Sequence, residues 1–295
     1  MATIGFIGLG NMGAPMAANL VKAGDRVVGF DVVAALRAAC AQDGVQIAAS
    51  AKAAVESADV IVTMLPAGEH VLSVWKDVLP AAKEDALFID CSTIDVTSAR
   101  TAHAMAIERG IASLDAPVSG GVGGAKAATL TFMVGGSAEA FAHGKPVLER
   151  MGKRIVHCGN AGNGQAAKIC NNMILGASMI AVSEAFVLGE KLGLSNQALF
   201  DVASASSGQC WSLTSYCPVP GPVPTSPANN GYKAGFAAAL MLKDLKLARE
   251  AADSVKVKNA IGARAAEIYE QFAKQGHSGA DFSGIINLVR ENSKR

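Results

Sequence analysis

The sequence has little of what identifies several common classes of protein. Aromatic residues make up only 5% of its 295 residues, and 26 basic side chains are nearly balanced by 25 acidic ones, for a formal charge of +1. Without a basic stretch interleaved with aromatic residues, the chain lacks the electrostatic pattern of a nucleic-acid-binding protein. We therefore expect no nucleic-acid partner.

Paired cysteines are also missing. The six cysteines are scattered along the chain without C-x-x-C spacing, and the five histidines do not cluster with them. Zinc sites usually show such paired spacing, so the sequence predicts no metal site. In a chain of this size without an export signal, the thiols are expected to be buried and reduced.

The sequence has no long uninterrupted apolar run. The longest candidate, within residues 173–188, is interrupted by Ser178, Ser183 and Glu184, so we expect no membrane span. The first residues have the pattern of a β-strand, and not that of a charged segment followed by an apolar run and a cleavage site. A cytoplasmic protein is expected, although a processed organellar form would have the same composition.

A glycine motif near the N-terminus is the first positive signal. The predicted strand at residues 4–7 leads into G-x-G-x-x-G, and a helical pattern follows at 14–23; the motif reads Gly8-Leu9-Gly10-Asn11-Met12-Gly13. The three glycines permit a tight turn, close approach of phosphates to the backbone, and packing of the helix on its strand. The free N–H groups at the helix start would bind a pyrophosphate.

An acidic residue follows the second predicted strand. That strand covers residues 26–30 and ends at Asp31, whose carboxylate can accept hydrogen bonds from the adenosine ribose hydroxyls. A carboxylate there would repel a 2′-phosphate, and Val32 and Val33 offer no cation to bind one. The pattern therefore predicts a dinucleotide-binding domain that uses NAD. The alternative is a glycine-rich turn in another kind of α/β domain.

The chain is long enough for two domains. Up to about residue 160, short β-rich runs alternate with helical patterns, which predicts a doubly wound, largely parallel sheet. Beyond that point helical patterns dominate. We expect a dinucleotide-binding α/β domain over residues 1–161, a long connecting helix over 162–192 and an all-helical domain over 193–295, which would hold substrate or subunit contacts.

Two kinds of segment are candidates for ligand binding. Ligands of open α/β sheets bind beyond the carboxyl ends of the strands, where this sequence has residues 65–67, 92–93 and 116–121. In the helical part, residues 210–231 hold five of the ten prolines and predict an irregular loop. Long ordered loops in compact domains often serve as lids or binding segments.

The start of the predicted long helix carries a lysine and an asparagine four residues apart. Because of this spacing, Lys168 and Asn172 lie on one helical face. A lysine buried in an apolar helix has a lowered pKa, which suits general acid/base chemistry. The competing interpretation is a lysine whose charge reaches water at the helix edge, with Asn172 making a local hydrogen bond. Spacing alone favours this second interpretation.

Four motifs together resemble the β-hydroxyacid dehydrogenase family. The resemblance covers nearly the whole chain, and within the family the segment 211–221 is most similar to the 3-hydroxyisobutyrate dehydrogenases. It implies a Rossmann-type N-terminal domain, a long connecting helix and an all-helical C-terminal domain, with the active site in the cleft between the domains. The four motifs are Gly8 to Gly13, Asp115-Ala116-Pro117-Val118-Ser119-Gly120-Gly121, Gly164-Gln165-Ala166-Ala167-Lys168-Ile169-Cys170-Asn171-Asn172 and Lys243-Asp244-Leu245.

The resemblance implies roles for the residues at matching positions. Lys168 would be the catalytic general acid/base and Asn172 would orient the substrate. The substrate carboxylate would bind at Ser119, Gly120 and Gly121, with Phe236 and Asp244 bordering the same cleft. The residues that would contact NAD are Gly8, Leu9, Gly10, Asn11, Met12, Gly13, Asp31, Leu65, Pro66, Thr93 and Lys243.

The implied activity is NAD-dependent oxidation of 3-hydroxyisobutyrate to methylmalonate semialdehyde. Two alternatives stay open: oxidation of L-serine or another short β-hydroxyacid, and reduction of tartronate semialdehyde or succinic semialdehyde. A pocket discriminates between substrates that differ by one small group by only ~1–3 kcal/mol. A non-enzymatic NAD-binding module would have no reason to retain Lys168, Asn172 and the Ser119 turn together. Apolar surface on the predicted helices suggests a homodimer or homotetramer.

Overall fold

The computed structural model describes residues 1–294. Residue contacts divide the chain into two compact units, Met1–Lys168 and Ile169–Arg295. The division falls inside one continuous helix, Asn163–Lys191, whereas the sequence placed domain boundaries at the two ends of this helix. The three-part division stays a prediction.

The first unit is built on a nine-stranded sheet. Its strands in chain order are β1 Thr3–Ile7, β2 Arg26–Phe30, β3 Gln46–Ile47, β4 Val60–Thr63, β5 Leu87–Asp90, β6 Ala112–Asp115, β7 Val118–Ser119, β8 Leu130–Gly135 and β9 Gly152–Gly159. They lie in the order β3-β2-β1-β4-β5-β6-β8-β7, with β9 also paired to β8. The first six strands pair in parallel, whereas β8 is antiparallel to β6 and β7.

Two hydrophobic cores form on alternate side chains of the same strands. Val60 and Val62 belong to one core, while Ile61, which lies between them on β4, belongs to the other. This alternation follows from the two-residue repeat of a strand, which sends successive side chains to opposite faces. The helices of this unit are α1 Gly13–Lys22, α2 Ala34–Gln42, α3 Ala51–Val55, α4 Gly68–Val78, α5 Val96–Ile107, α6 Gly121–Lys126 and α7 Ala138–Leu148. The predicted doubly wound sheet is confirmed.

The second unit is helical, as predicted. The helices from the long one onwards are α8 Asn163–Lys191, α9 Asn196–Ser204, α10 Trp211–Thr214, α11 Ala238–Ser254, α12 Ala260–Phe272 and α13 Ile285–Asn292. The helical pattern of the sequence covers residues 236–254, and α11 begins two residues later because Ala237 is extended and forms an antiparallel bridge with Asp281. The sequence did not predict α10 or α13, which are short.

The proline-rich segment 210–231 is more ordered than expected. It contains α10 and a 3₁₀ turn at Pro227–Asn230, and Cys217 and Val219 are fully buried in a hydrophobic cluster of the second unit. The hydroxyl of Ser226 donates a hydrogen bond to the Cys217 carbonyl at 2.6 Å. These contacts correct the expectation of an irregular loop, since the segment is part of a packed core.

Helix α8 has the length and composition of a membrane span. It has 29 residues, and the mean hydropathy of its most apolar window is 1.5, with 44% of that window buried. The polar interruptions at Ser178, Ser183 and Glu184 therefore do not by themselves exclude a span. Buried core helices of soluble proteins share these properties, so the helix is weak grounds for a membrane assignment.

Candidate active site

The glycine turn after β1 has the geometry of a dinucleotide cradle. Gly8 has a φ of 98°, and a Cβ atom there would lie 2.2 Å from the Met64 carbonyl oxygen. A Cβ atom on Gly13 would lie 1.9 Å from the Gly8 carbonyl oxygen, whereas one on Gly10 would meet nothing within 4 Å. The two outer glycines are therefore required by packing, and Gly10 leaves open space that phosphates can approach.

Asp31 is tied to this turn at the carboxyl end of β2. Its carboxylate accepts hydrogen bonds from the N–H groups of Leu9 and Val33, both at 2.8 Å. The guanidinium of Arg37 donates to the Asp31 carbonyl at 2.5 Å and lies 5.6 Å from the centre of the Phe30 ring. A cation therefore lies beside Asp31. Val32 and Val33, which directly follow Asp31, did not indicate it, because Arg37 reaches back from α2.

The two loops predicted to line NAD are joined by a buried hydrogen-bond network. The Leu65 N–H donates to the Ser92 hydroxyl at 2.7 Å, and that hydroxyl donates to the Asp90 carboxylate at 2.6 Å. The Thr63 hydroxyl donates to the same carboxylate oxygen at 2.8 Å. The network thus fixes the segments that contain Pro66, which is exposed, and Thr93, which is half-buried.

Asp90 has an unusual environment for a carboxylate. Burial raises its pKa to about 6, although hydrogen bonds from Ser92 and Thr63 oppose the increase, and the nearby Asp115 raises it further. Its Oδ2 atom has no hydrogen-bond partner among residues 1–294. No motif in the sequence pointed to this group, because its properties come from burial.

Asp115 caps the start of α8. Its two carboxylate oxygens accept hydrogen bonds from the N–H groups of Gly162 at 2.8 Å and Gln165 at 2.9 Å. His103 Nε2 lies 3.0 Å from the first of these oxygens, and the Ser113 hydroxyl lies 2.8 Å from His103 Nδ1. A hydrolase triad has the same chain of Ser, His and Asp contacts, but here all three side chains are buried. Both carboxylate oxygens accept N–H groups at the start of α8, so Asp115 serves as a helix cap.

Gln165 connects the same helical turn to the loop after β5. Its side-chain oxygen accepts a hydrogen bond from the Ile94 N–H at 3.1 Å, and its amide nitrogen donates to the Ser92 carbonyl at 2.7 Å. Gln165 is fully buried, and Lys168, three residues further along α8, is only 6% exposed. The interpretation of Lys168 as a side chain that extends into water at the helix edge is therefore wrong.

In the second unit, the side chains of Asn172 and Asp244 are in contact. The Asn172 side chain, 2% exposed, donates a hydrogen bond to the Asp244 carboxylate at 2.5 Å. Its carbonyl oxygen accepts one from the Asn171 side chain at 3.0 Å. These two contacts fix the orientation of the Asn172 amide. Lys243 is half-buried beside Asp244 on α11.

Phe236 belongs to an aromatic cluster organised by another buried carboxylate. Its ring packs edge-on against Phe282 at a centroid distance of 5.7 Å, and its N–H donates to Asp281 at 3.1 Å. Asp281 is fully buried and also accepts hydrogen bonds from the Tyr216 hydroxyl and the Gly235 N–H, both at 2.9 Å. Asp281 also caps the short turn that follows it, through hydrogen bonds from Ser283. Its role in the cluster was not predicted, because its donors there lie 45 or more residues away in sequence.

The Ser119–Gly121 turn connects β7 to α6. Ser119 pairs with Thr131 of β8, and Gly120 and Gly121 have φ values of 131° and 60°. Side-chain-bearing residues rarely adopt these angles, which accounts for both glycines. Ser119 is half-buried and Gly120 is exposed.

Comparison with known proteins shows the family. The family model described as the NAD binding domain of 6-phosphogluconate dehydrogenase matches residues 3–159, and that described as NAD-binding of NADP-dependent 3-hydroxyisobutyrate dehydrogenase matches residues 162–289. A solved structure of the 3-hydroxyisobutyrate dehydrogenase of Mycobacterium tuberculosis with L-serine is 56% identical, has a TM-score of 0.96, and is matched over 98% of this chain and 99% of that one.

Two relatives from Pseudomonas aeruginosa are nearly equally similar. One is named 3-hydroxyisobutyrate dehydrogenase, with 48% identity over 98% of this chain and 99% of the relative. The other is named NAD-dependent L-serine dehydrogenase, with 47% identity over 98% of both chains. These similarities, together with the dinucleotide cradle at Gly8–Gly13, identify NAD as the cofactor. The chain belongs to the 3-hydroxyisobutyrate dehydrogenase family of NAD-dependent oxidoreductases.

Proposed function

We propose that this enzyme oxidises 3-hydroxyisobutyrate to methylmalonate semialdehyde, with Lys168 as the general base. The observation that carries the proposal is the arrangement on α8, where Gln165, Lys168 and Asn172 have the spacing i, i+3, i+7 of a single helical face. Lys168 is buried. Hydrogen bonds hold the side chains of Gln165 and Asn172, which lie about one helical turn before and after it along α8. Such order around one buried amine favours a role in catalysis.

The reaction removes a proton from the substrate hydroxyl and a hydride from the carbon that carries it. NAD, when bound, accepts the hydride at C4 of its nicotinamide ring. The Lys168 amine accepts the hydroxyl proton and returns it in the reverse reaction. Asn172, whose amide is held by Asp244 and Asn171, positions the hydroxyl beside the lysine.

The turn at Ser119, Gly120 and Gly121 selects for an acid. Backbone N–H groups in glycine turns bind anions, and we assign the substrate carboxylate to this turn. Fixing the carboxylate at one point and the hydroxyl at another selects substrates whose hydroxyl is on the β carbon. Holding the reacting groups in this way can lower the barrier by ~7–11 kcal/mol at its best.

L-Serine is the second candidate substrate. It has an ammonium group where 3-hydroxyisobutyrate has a methyl group, and it shares the carboxylate and the β-hydroxyl. The observation that favours it is the near-equal identity to the two Pseudomonas aeruginosa relatives, one named for each substrate. The solved Mycobacterium tuberculosis structure, which contains L-serine, also favours L-serine as a substrate.

A substrate panel tests the proposal. kcat/KM would be measured with NAD for 3-hydroxyisobutyrate, L-serine and other short β-hydroxyacids, and with NADH for tartronate and succinic semialdehydes. We expect 3-hydroxyisobutyrate to exceed L-serine by about 10- to 200-fold, the range that one small group in a pocket provides. A preference for L-serine would contradict the substrate assignment but leave the β-hydroxyacid class in place. Preference for a semialdehyde would contradict the proposed physiological direction.

A further inference from the structure

We propose that Gln165 and Asp115 are positioning residues that fix Lys168 relative to the loop after β5. Neither residue takes a direct part in the proposed proton transfer or hydride transfer. Both act on the first turn of α8, one helical turn before the lysine. The inference rests on the proposed role of Lys168, and its test separates the two.

Gln165 is suited to this role because it must donate and accept at once. One neighbour, the Ile94 N–H, can only donate, and the other, the Ser92 carbonyl, can only accept. Among side chains of this length, only an uncharged amide satisfies both partners. The two partners flank Thr93, so a single amide holds the Thr93 loop on both sides and joins it to the helix of Lys168.

Asp115 fixes the same turn from the end of β6. Its carboxylate bridges the N–H groups of Gly162 and Gln165, which lie at the positive end of the α8 dipole. His103 Nε2 lies 3.0 Å from the carboxylate oxygen that accepts the Gly162 N–H.

The packing around this cap leaves no room for a side chain at Gly164 or Gly135. A Cβ atom on Gly164 would lie 2.3 Å from the Met133 carbonyl oxygen and 2.6 Å from that of Asp115. A Cβ atom on Gly135 would lie 2.4 Å from the Asp115 carboxylate. The first turn of α8 is therefore packed directly against the ends of β6 and β8, and Asp115 and Gln165 add directional hydrogen bonds to this packing.

Gln165→Met is the main test variant. Methionine keeps the length and the unbranched shape of glutamine but lacks both hydrogen bonds, so packing is preserved while the connection to Ser92 and Ile94 is lost. Because misplacement by about 1 Å can cost 10²-fold, we expect the single-turnover rate of hydride transfer to fall by about 10- to 100-fold. The Kd for NADH should change by no more than about threefold, because only Thr93 of the predicted NAD contacts lies in the loosened loop and the Gly8–Gly13 turn is untouched. Amide hydrogen exchange of the cofactor-free protein at residues 92–95 should accelerate.

Asp115→Asn is a second variant in case the first does not fold. Its amide nitrogen would face one of the two helix N–H groups, which removes one of the two capping bonds. We expect a smaller loss in rate, about tenfold, and faster exchange at residues 162–165.

The matched control is Asp25→Asn. Asp25 is also a buried carboxylate that accepts a backbone hydrogen bond, from the Ala2 N–H at 3.0 Å, and it pairs with Arg150. It precedes β2 and so lies at the amino end of the sheet, opposite the proposed site. This variant should lose thermal stability without changing the hydride-transfer rate per active site.

The outcomes separate the inference from the proposed function. A Gln165→Met enzyme with the wild-type hydride-transfer rate would overturn the inference, and so would a loss in rate that Asp25→Asn shares. If a variant with Lys168 replaced keeps its rate, the proposed mechanism fails whatever the Gln165 variant does. All rates would be measured with the β-hydroxyacid that the wild-type enzyme uses best.

Discussion

The turn after β1 and the start of α8, to which we assign the cofactor and the catalytic lysine, are held in different ways. The first is held by backbone sterics, since Gly8 and Gly13 have no space for a side chain. The second combines close packing at Gly164 with hydrogen bonds to two buried polar side chains, Asp115 and Gln165. The first needs only an open surface that an anion can approach. In the proposed mechanism the second must hold one amine in place, which calls for directional contacts.

The difference implies that changes in one region should leave the other intact. Variants near the glycine turn should alter which dinucleotide binds, and variants at the start of α8 should alter the rate of chemistry. The polar network at Asp90 is connected to the start of α8 through Ser92. A variant that keeps its hydrogen-bond acceptor should mainly affect stability. Variants at Asp31, Asp90 and Lys168 test these three expectations in turn.

Asp31→Ser is expected to change cofactor preference. The variant removes the negative charge that would repel a 2′-phosphate, while Arg37 stays beside residue 31. Because like charges in contact cost several kcal/mol, the ratio of kcat/KM for NAD to that for NADP should fall by about 100-fold. Steady-state kinetics with both dinucleotides measures this ratio.

The double variant Asp31→Ser with Arg37→Ala is the control. If Arg37 supplies the phosphate contact, the double variant should lose most of the NADP activity that the single variant gains. An unchanged NAD-to-NADP ratio in Asp31→Ser would show that Asp31 does not decide the cofactor.

Asp90→Asn is expected to change how stability depends on pH. Folding raises the pKa of Asp90 from 3.8 to about 6, so the folded state favours the protonated form. The resulting stabilisation is fully present below about pH 4 and is lost as pH rises through about 6. Two pKa units correspond to about 3 kcal/mol, so the wild type should lose up to this amount relative to Asp90→Asn between pH 4 and 7.

Denaturant unfolding of both proteins across this pH range measures the difference. The profiles of wild type and variant should converge at low pH and separate above it. Parallel profiles would mean that Asp90 has an ordinary pKa in the folded protein. The NADH affinity at a single pH should barely change, since asparagine keeps an acceptor for Ser92 and Thr63.

The sequence predicts the first region better than the second for a physical reason. The glycines and Asp31 lie within one short β-α-β segment, and their chemistry follows from local backbone constraints. The hydrogen bonds that hold the start of α8 join residues 47 to 73 positions apart in sequence, as between Asp115 and Gly162 or Ser92 and Gln165. Only the fold brings these pairs together, so the network at Asp90, the cap at Asp115 and the cluster at Asp281 were not predicted.

The length of a periodic pattern decides which elements of the fold the sequence can predict. The alternating β and helical patterns predicted the two-part architecture, because period-2 and period-3.6 patterns differ over long stretches. Two-residue β7 and one-turn α10 were missed because such short elements carry no period. The cytoplasmic location and the homodimer or homotetramer stay predictions.

The most direct test of the account is the hydride-transfer rate of Lys168→Met, measured in a single turnover together with its NADH affinity. Methionine keeps the length of the buried side chain but removes the amine. General acid/base groups contribute about 10²- to 10⁴-fold, so the rate should fall by about 10³-fold, with the Kd for NADH within about threefold of wild type. A rate within tenfold of wild type would contradict the proposal that Lys168 transfers the proton.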